Sequence, residues 1–141
     1  MSDSFTGTCH CGAVRFIYKT NIAVSQWSVR ACQCSFCRAH GAHATSDPSG
    51  TVKFEVARPD SLARYQFGLR TAEFLICPRC GVYVAAVITS SRGQFATINV
   101  NTLSPSPEGL PGAQPISYER ETRAQRMARR EQKWTPVIGT V

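Results

Sequence analysis

Seven cysteines in three tight clusters constrain this 141-residue chain more than any other feature. They read Cys9-His10-Cys11, Cys32-Gln33-Cys34-Ser35-Phe36-Cys37 and Cys77-Pro78-Arg79-Cys80. An odd number cannot pair fully as intrachain disulfides. Two sulfurs spaced C-x-C on a strand point to one face with Cα atoms about 6.7 Å apart. Sulfurs spaced C-x-x-C converge in a turn. Either spacing can hold zinc at sulfur distances of about 2.3 Å once the backbone bends. Gly12 and Gly81 each follow a pair, where a residue free to take positive φ allows the turn that aims amide groups at the thiolates.

The clusters divide as four plus three. Cys9, Cys11, Cys77 and Cys80 make two bidentate pairs and close a tetrahedral site, the arrangement of a structural zinc, which would tie the N-terminal strand to a segment nearly seventy residues on. Cys32, Cys34 and Cys37 supply three ligands and leave a coordination position for water or substrate, as a catalytic zinc does. The competing reading makes both sites structural, with His10, His40 or His43 as the eighth ligand; His40 lies three residues after Cys37. A thioredoxin-like redox pair expects a βαβ setting that the pattern lacks.

The remaining composition sets the frame. Hydrophobic residues make up 43% and charged residues 18%, which suits a folded domain. No run of 18 to 20 apolar residues crosses a bilayer, and no membrane partner is expected. The first twelve residues lack the basic and apolar regions of a signal peptide, so a reducing cytoplasm is expected, where clustered cysteines hold metal. The formal charge of +7 invites a nucleic-acid partner. Seven thiolates subtract seven and two zinc ions restore four, which leaves +4, and charge alone does not argue for nucleic acid.

Segments rich in β-branched and aromatic residues recur along the chain: Ala13–Tyr18, Thr51–Ala57, Ala63–Phe67, Glu73–Ile76, Val82–Thr89 and Gln94–Val100. In Thr51–Ala57, Val52, Phe54 and Val56 face inward while Lys53 and Glu55 face out. Gly, Pro, Ser and Asp punctuate them, and the rhythm implies a mainly β, antiparallel domain. Residues 104–115 carry four prolines and two glycines and read as an ordered loop. Tyr118–Lys133 reads as a short C-terminal helix, with Trp134 and Val137 docking the tail on the core. Arg123, Arg126 and Arg130 share a face of it, which mixed charge such as the Glu119–Arg123 pair makes an ordinary solvated face. No aromatic stacking pattern accompanies them.

Three stretches carry a family resemblance: Gly7-Thr8-Cys9-His10-Cys11-Gly12-Ala13-Val14-Arg15-Phe16, Cys32-Gln33-Cys34-Ser35-Phe36-Cys37-Arg38, and Cys77-Pro78-Arg79-Cys80-Gly81. In order and separation they resemble the glutathione-dependent formaldehyde-activating enzyme family, which includes centromere protein V, across about residues 5–103. The resemblance implies a single zinc-binding domain over 1–141, with antiparallel sheets in a β-tent around two zinc ions. It assigns Cys9, Cys11, Cys77 and Cys80 to the structural ion and Cys32, Cys34 and Cys37 to the catalytic one. It implies a carbon–sulfur lyase that condenses formaldehyde with glutathione to S-(hydroxymethyl)glutathione. The segment Asn99-Val100-Asn101-Thr102-Leu103-Ser104-Pro105 and the Arg-rich tail depart from the founding members, so the chain resembles a distant subfamily. Arg38 and Arg79 are candidates to meet the substrate's carboxylates. The reading from another class is a non-catalytic, zinc-stabilised module that binds glutathione, protein or nucleic acid. An open position beside Cys32, Cys34 and Cys37 favours the enzyme, and a fourth protein ligand there favours the module.

Overall fold

A computed structural model describes residues 3–141. Eleven strands and two α-helices are found among them. The alternation in the sequence produces the longest strands. In β2 (Val14–Thr20), Val14, Phe16 and Tyr18 lie on one buried face. It pairs antiparallel with β1 (Asp3–Thr8) and β5 (Thr51–Val56), and the order β1-β2-β5 forms a three-stranded sheet. The second sheet runs β10-β3-β4-β9-β8-β7-β6, with β3 Arg30–Cys32, β4 Ala44–Thr45, β6 Ala63–Tyr65, β7 Glu73–Ile76, β8 Tyr83–Ser90, β9 Gly93–Asn99 and β10 Gln114–Ile116. The two-residue β11 (Thr135–Pro136) adds to β9. All pairs are antiparallel except β10 with β3, which is parallel.

The centre of the large sheet divides two apolar clusters. One packs against the small sheet and holds Val14, Phe16, Tyr18, Val52, Val84, Val87 and Cys77. The other lies on the opposite face and holds Tyr83, Ala86, Ile88 and Trp134, with Phe36, Cys37 and Met127 against it. Tyr83–Ile88 are therefore buried on both faces. The register of β7 with β8 slips at Leu75/Ile76, where Leu75 opposes Ala85 and Ile76 opposes Tyr83. The bulge makes Val84 the extra residue and returns Tyr83 to the face of Ala86 and Ile88.

Two expectations from sequence need correction. The C-terminal helix begins later: α2 spans Arg123–Lys133, not Tyr118–Lys133. Thr122 caps it with a capping box, its hydroxyl accepting from the Gln125 amide while the Gln125 side chain accepts from the Thr122 amide. Residues 118–121 instead turn back on the helix. Glu121 accepts two hydrogen bonds from Arg129, at 2.8 and 3.1 Å, and Arg126 donates to the Tyr118 carbonyl. The expected Glu119–Arg123 helical pair has no helix to stand on, because Glu119 precedes α2; Arg123 bonds the Leu69 carbonyl instead. The proline-rich stretch also ends in a strand, since Gln114–Ile116 pairs with Arg30–Cys32. Pro115 is tolerated because β10 lies at the sheet edge. The tail docks as expected: Trp134 is buried, Val137 packs on the main core, and the Ile138 amide donates to the Val52 carbonyl.

Candidate metal centres and the pocket beside them

The four-cysteine group forms where two similar turns meet. Cys9 and Cys11 lie not on a strand, as the C-x-C spacing suggested, but in the turn between β1 and β2. The Cys9 amide donates to the Val14 carbonyl, and the Val14 amide donates to the Cys9 sulfur at 3.3 Å. The second turn repeats the first, with the Cys77 amide on the Val82 carbonyl and the Gly81 amide on the Cys77 carbonyl. Gly12 at φ 86° and Gly81 at φ 80° close the two turns in the left-handed region.

All seven cysteines are free, and the sulfurs of Cys9, Cys11, Cys77 and Cys80 lie within 4.8 Å of one another. Cys9 to Cys11 is 3.7 Å and Cys11 to Cys77 is 3.6 Å. A disulfide requires about 2.05 Å. A tetrahedron of zinc–sulfur bonds near 2.3 Å has edges of about 3.8 Å, so the spacing fits a four-coordinate ion. The electrostatics agree. Burial pushes the Cys77 thiol up to about 11. Burial also works against Cys80, but the backbone amides of Cys11 and Val82 and the Cys77 thiol outweigh it and hold Cys80 at about 6.

The three-cysteine group is assembled from β3 and the start of α1 (Ser35–His40). Cys32 ends the strand, Cys34 is the helix N-cap, and its sulfur accepts from the Cys37 amide at 3.4 Å. The three sulfurs also lie within 4.8 Å of one another. Hydrogen bonds from the Cys32 and Cys37 thiols hold Cys34 at about 2. The same sharing drives Cys32 and Cys37 upward, with burial adding to each. The geometry accommodates one thiolate, and three would repel unless a cation sat among them. Cysteines so disposed could hold a metal ion. Among the described residues no histidine or carboxylate joins either group. The His40 ring packs at a tilt against Phe36, centroids 4.3 Å apart, and beside Tyr83 at 5.7 Å.

The two groups sit in different surroundings, on opposite faces of the large sheet. Cys9, Cys77 and Cys80 belong to the main core. Cys32, Cys34 and Cys37 open into a cavity of about 470 Å³, to which the four-cysteine group contributes no wall. Phe67, Phe74, Tyr83 and Trp134 make its apolar lining. Burial, and after it the nearby Cys37, Cys34 and Cys32 thiols, raise the Tyr83 hydroxyl well above its usual range, so Tyr83 stays protonated.

The cavity is also strongly cationic. Arg30, Arg126, Arg129 and Arg130 line it against only two carboxylates, Glu119 and Glu121. Arg38 and Arg79, to which the sequence pointed, are not in its wall. The arginines that are come from β3 and from α2, whose basic residues the sequence assigned to a solvated face. The signal was present in the helix: Met127 is its only large apolar residue. A helix with so little apolar surface cannot be held by core packing alone.

No described helix is long and apolar enough to cross a membrane. A crystal structure of a Rhodobacter sphaeroides protein is similar to this chain at TM-score 0.62 and 33% identity, over 79% of this chain and 99% of that one. The family model for the glutathione-dependent formaldehyde-activating enzyme matches residues 4–118. That stretch contains both cysteine groups, and a match over so much of the sequence shows that the chain belongs to the glutathione-dependent formaldehyde-activating enzyme family.

Proposed function

We propose that this protein is a zinc-dependent enzyme of the carbon–sulfur lyase class. It would join a thiol such as glutathione to formaldehyde, or a related aldehyde, and cleave the same adduct in reverse. The observation that carries this reading is the contrast between the two cysteine groups: four sulfurs gathered at the main core, outside the cavity, with only Cys11 exposed, and three sulfurs in the wall of a cavity sized for a small molecule. Cys9, Cys11, Cys77 and Cys80 hold the structural ion; Cys32, Cys34 and Cys37 hold the catalytic one.

When bound, zinc at the three-cysteine group would supply positive charge that favours a thiolate over a thiol and stabilises charge developing on an aldehyde oxygen. The chain's own residues do the rest. The carbon–sulfur bond forms as the thiol loses its proton, and the carbonyl oxygen gains one, so RSH and CH2O become RSCH2OH with nothing left over. Tyr83, protonated and in the cavity wall, is a hydrogen-bond donor for that oxygen. Phe67, Phe74 and Trp134 exclude water around the reacting groups. The basic helix does not favour nucleic acid as ligand, because Arg126, Arg129 and Arg130 turn into the cavity.

The test is a paired substitution. Cys34→Ser should retain the fold and one zinc per chain while abolishing acceleration of S-(hydroxymethyl)glutathione formation, followed by NMR exchange between formaldehyde and glutathione. Cys80→Ser should lose soluble protein or its cooperative melt, because a structural site contributes folding free energy. Equal collapse of both variants would make both sites structural and sink the enzyme reading.

A further inference from the structure

Two of the cavity's four arginines have no carboxylate partner among the described residues. Glu121 lies against Arg129 at 2.8 Å and Arg126 at 3.5 Å and answers their charge. Arg130 is different. It is 91% buried by its 9% exposure, yet no carboxylate lies within 4.0 Å of it. Its Nη1 donates to Thr71 Oγ1 at 2.7 Å, its guanidinium carbon stands 4.9 Å over the Trp134 ring, and its Nε is buried with no hydrogen-bond partner. Arg30, on β3 in the wall of the same cavity, is likewise without a carboxylate among the described residues. Its Nη2 donates to the hydroxyls of Ser46 and Thr97. Such neutral partners orient a guanidinium without cancelling its charge. An uncompensated buried cation is costly in a free protein unless a ligand supplies the counter-charge.

We propose that Arg130 and Arg30 form the subsite that receives a carboxylate of the substrate, so that the enzyme selects anionic thiols, or their aldehyde adducts, over neutral ones. The inference rests on the thiol–aldehyde reading above and adds the substrate's charge and the residues that read it. A guanidinium presents parallel N–H donors that match a carboxylate's two oxygens, which a lysine ammonium cannot reproduce. Arg130 lines the same cavity as the three sulfurs, and its buried Nε has no partner within the protein. The division of labour follows: the cysteine group takes the sulfur end of the substrate, the aromatic wall its body, and the arginine pair its carboxylate. Arg130 belongs to α2, which lies beyond the 4–118 stretch that defines the family. The Arg130 half of this recognition therefore comes from the C-terminal helix, while Arg30 lies within the matched stretch.

The test compares glutathione with its diethyl ester, in which both carboxylates are masked. Zinc-loaded protein should bind the acid about 10-fold or more tightly than the ester by calorimetry, the loss expected for one charged bidentate contact. In Arg130→Gln the preference should fall to within about 2-fold, with the loss falling on KM for glutathione more than on kcat. Arg130→Lys should restore only part of the preference. Equal binding of acid and ester by the wild-type protein, or an acid preference undiminished in Arg130→Gln, overturns the proposal. If Arg130→Gln does not fold, the wild-type comparison and Arg130→Lys decide it, and full acid preference in Arg130→Lys counts against it. Acid preference without acceleration of adduct formation by any thiol refutes the enzyme reading and leaves the carboxylate subsite standing.

Discussion

Replacing Glu121 by glutamine separates two effects of one carboxylate, on stability and on the charge of the cavity. Glu121 accepts from Arg129 through both oxygens, at 2.8 and 3.1 Å, and lies 3.5 Å from Arg126, with its side chain 20% exposed. Charge-assisted hydrogen bonds contribute about 1.5–3 kcal/mol each when well shielded. Glutamine retains one acceptor oxygen for Arg129, and the residual exposure screens the rest, so the net loss should be about 1–2 kcal/mol. At roughly 2–4 °C per kcal/mol for a chain of this size, Tm should fall by about 3–6 °C. The Arg129 hydrogen bonds first, and then the charges of Arg129 and Arg126, hold the Glu121 carboxyl below its ordinary 4.5 against the opposing effect of burial. A depressed folded-state value stabilises the protein above the unfolded-state value and ceases to do so as pH falls through the folded one. The stability gap between wild type and Glu121→Gln should be full at pH 7 and close on acidification below about pH 4.5. Urea unfolding of both proteins at each pH reads it, since acid protonation of the thiolates affects both alike. Two further guanidiniums are released into the cavity, so glutathione should bind more tightly to the variant even as the fold weakens. A gap that stays constant with pH, or weaker glutathione binding in the variant, would refute this account of Glu121.

Two other substitutions probe the supports of the site. A Cβ at Gly7 would run into the ring of Phe16, its cross-strand partner, which is fully buried and braced by Phe54 at 5.9 Å; Gly7→Ala should cost about 1–3 kcal/mol by urea unfolding and lower zinc retention through Cys9, two residues on. Thr122→Ala removes the capping box of α2 and should cost about 1 kcal/mol, with KM for glutathione rising as the helix frays, read by thermal melting and by initial rates.

What was legible in the sequence was what local spacing decides. The cysteine spacings mark out the four-sulfur group, and Cys9, Cys11, Cys77 and Cys80 do come together, although the C-x-C pair lies in a turn and not on a strand. Strands whose pattern repeats for several residues, such as Val14–Thr20 and Thr51–Val56, show themselves because one face must be apolar throughout. The elements that escaped are mostly short, though β1 (Asp3–Thr8) and α1 (Ser35–His40) have six residues each, and β1 carries a single large apolar residue, Phe5. Arg30–Cys32 has three residues and Ala44–Thr45 two, too few to display a period, and Gln114–Ile116 carries a proline that argues against a strand. The helix start was misplaced because Tyr118–Glu121 consists of residues a helix accepts. The determining fact is that Glu121 binds Arg126 and Arg129 further along the chain.

The arginines of the cavity illustrate a different limit. Arg38 and Arg79 adjoin the cysteines in sequence, but adjacency in sequence is a poor guide across a sheet, and neither lines the cavity. Arg38, in α1, and Arg79, in the turn between Cys77 and Cys80, are both exposed. The groups that face a metal-binding cluster then come from whichever element covers it. Here that element is α2, nearly a hundred residues from Cys34 in sequence, which reaches the cavity because Trp134 is buried against the far face of the large sheet and β11 adds to β9. Placement of Arg130 therefore depends on tail docking, not on its own neighbours. The charge excess on a helix with almost no apolar face could have raised the question of what such a helix packs against. A basic helix drawn over a cationic cavity is paradoxical in the free protein. It becomes reasonable if the ligand is an anion whose binding contributes to the stability of the cover, which predicts that glutathione raises Tm and that Arg130→Gln abolishes most of that rise.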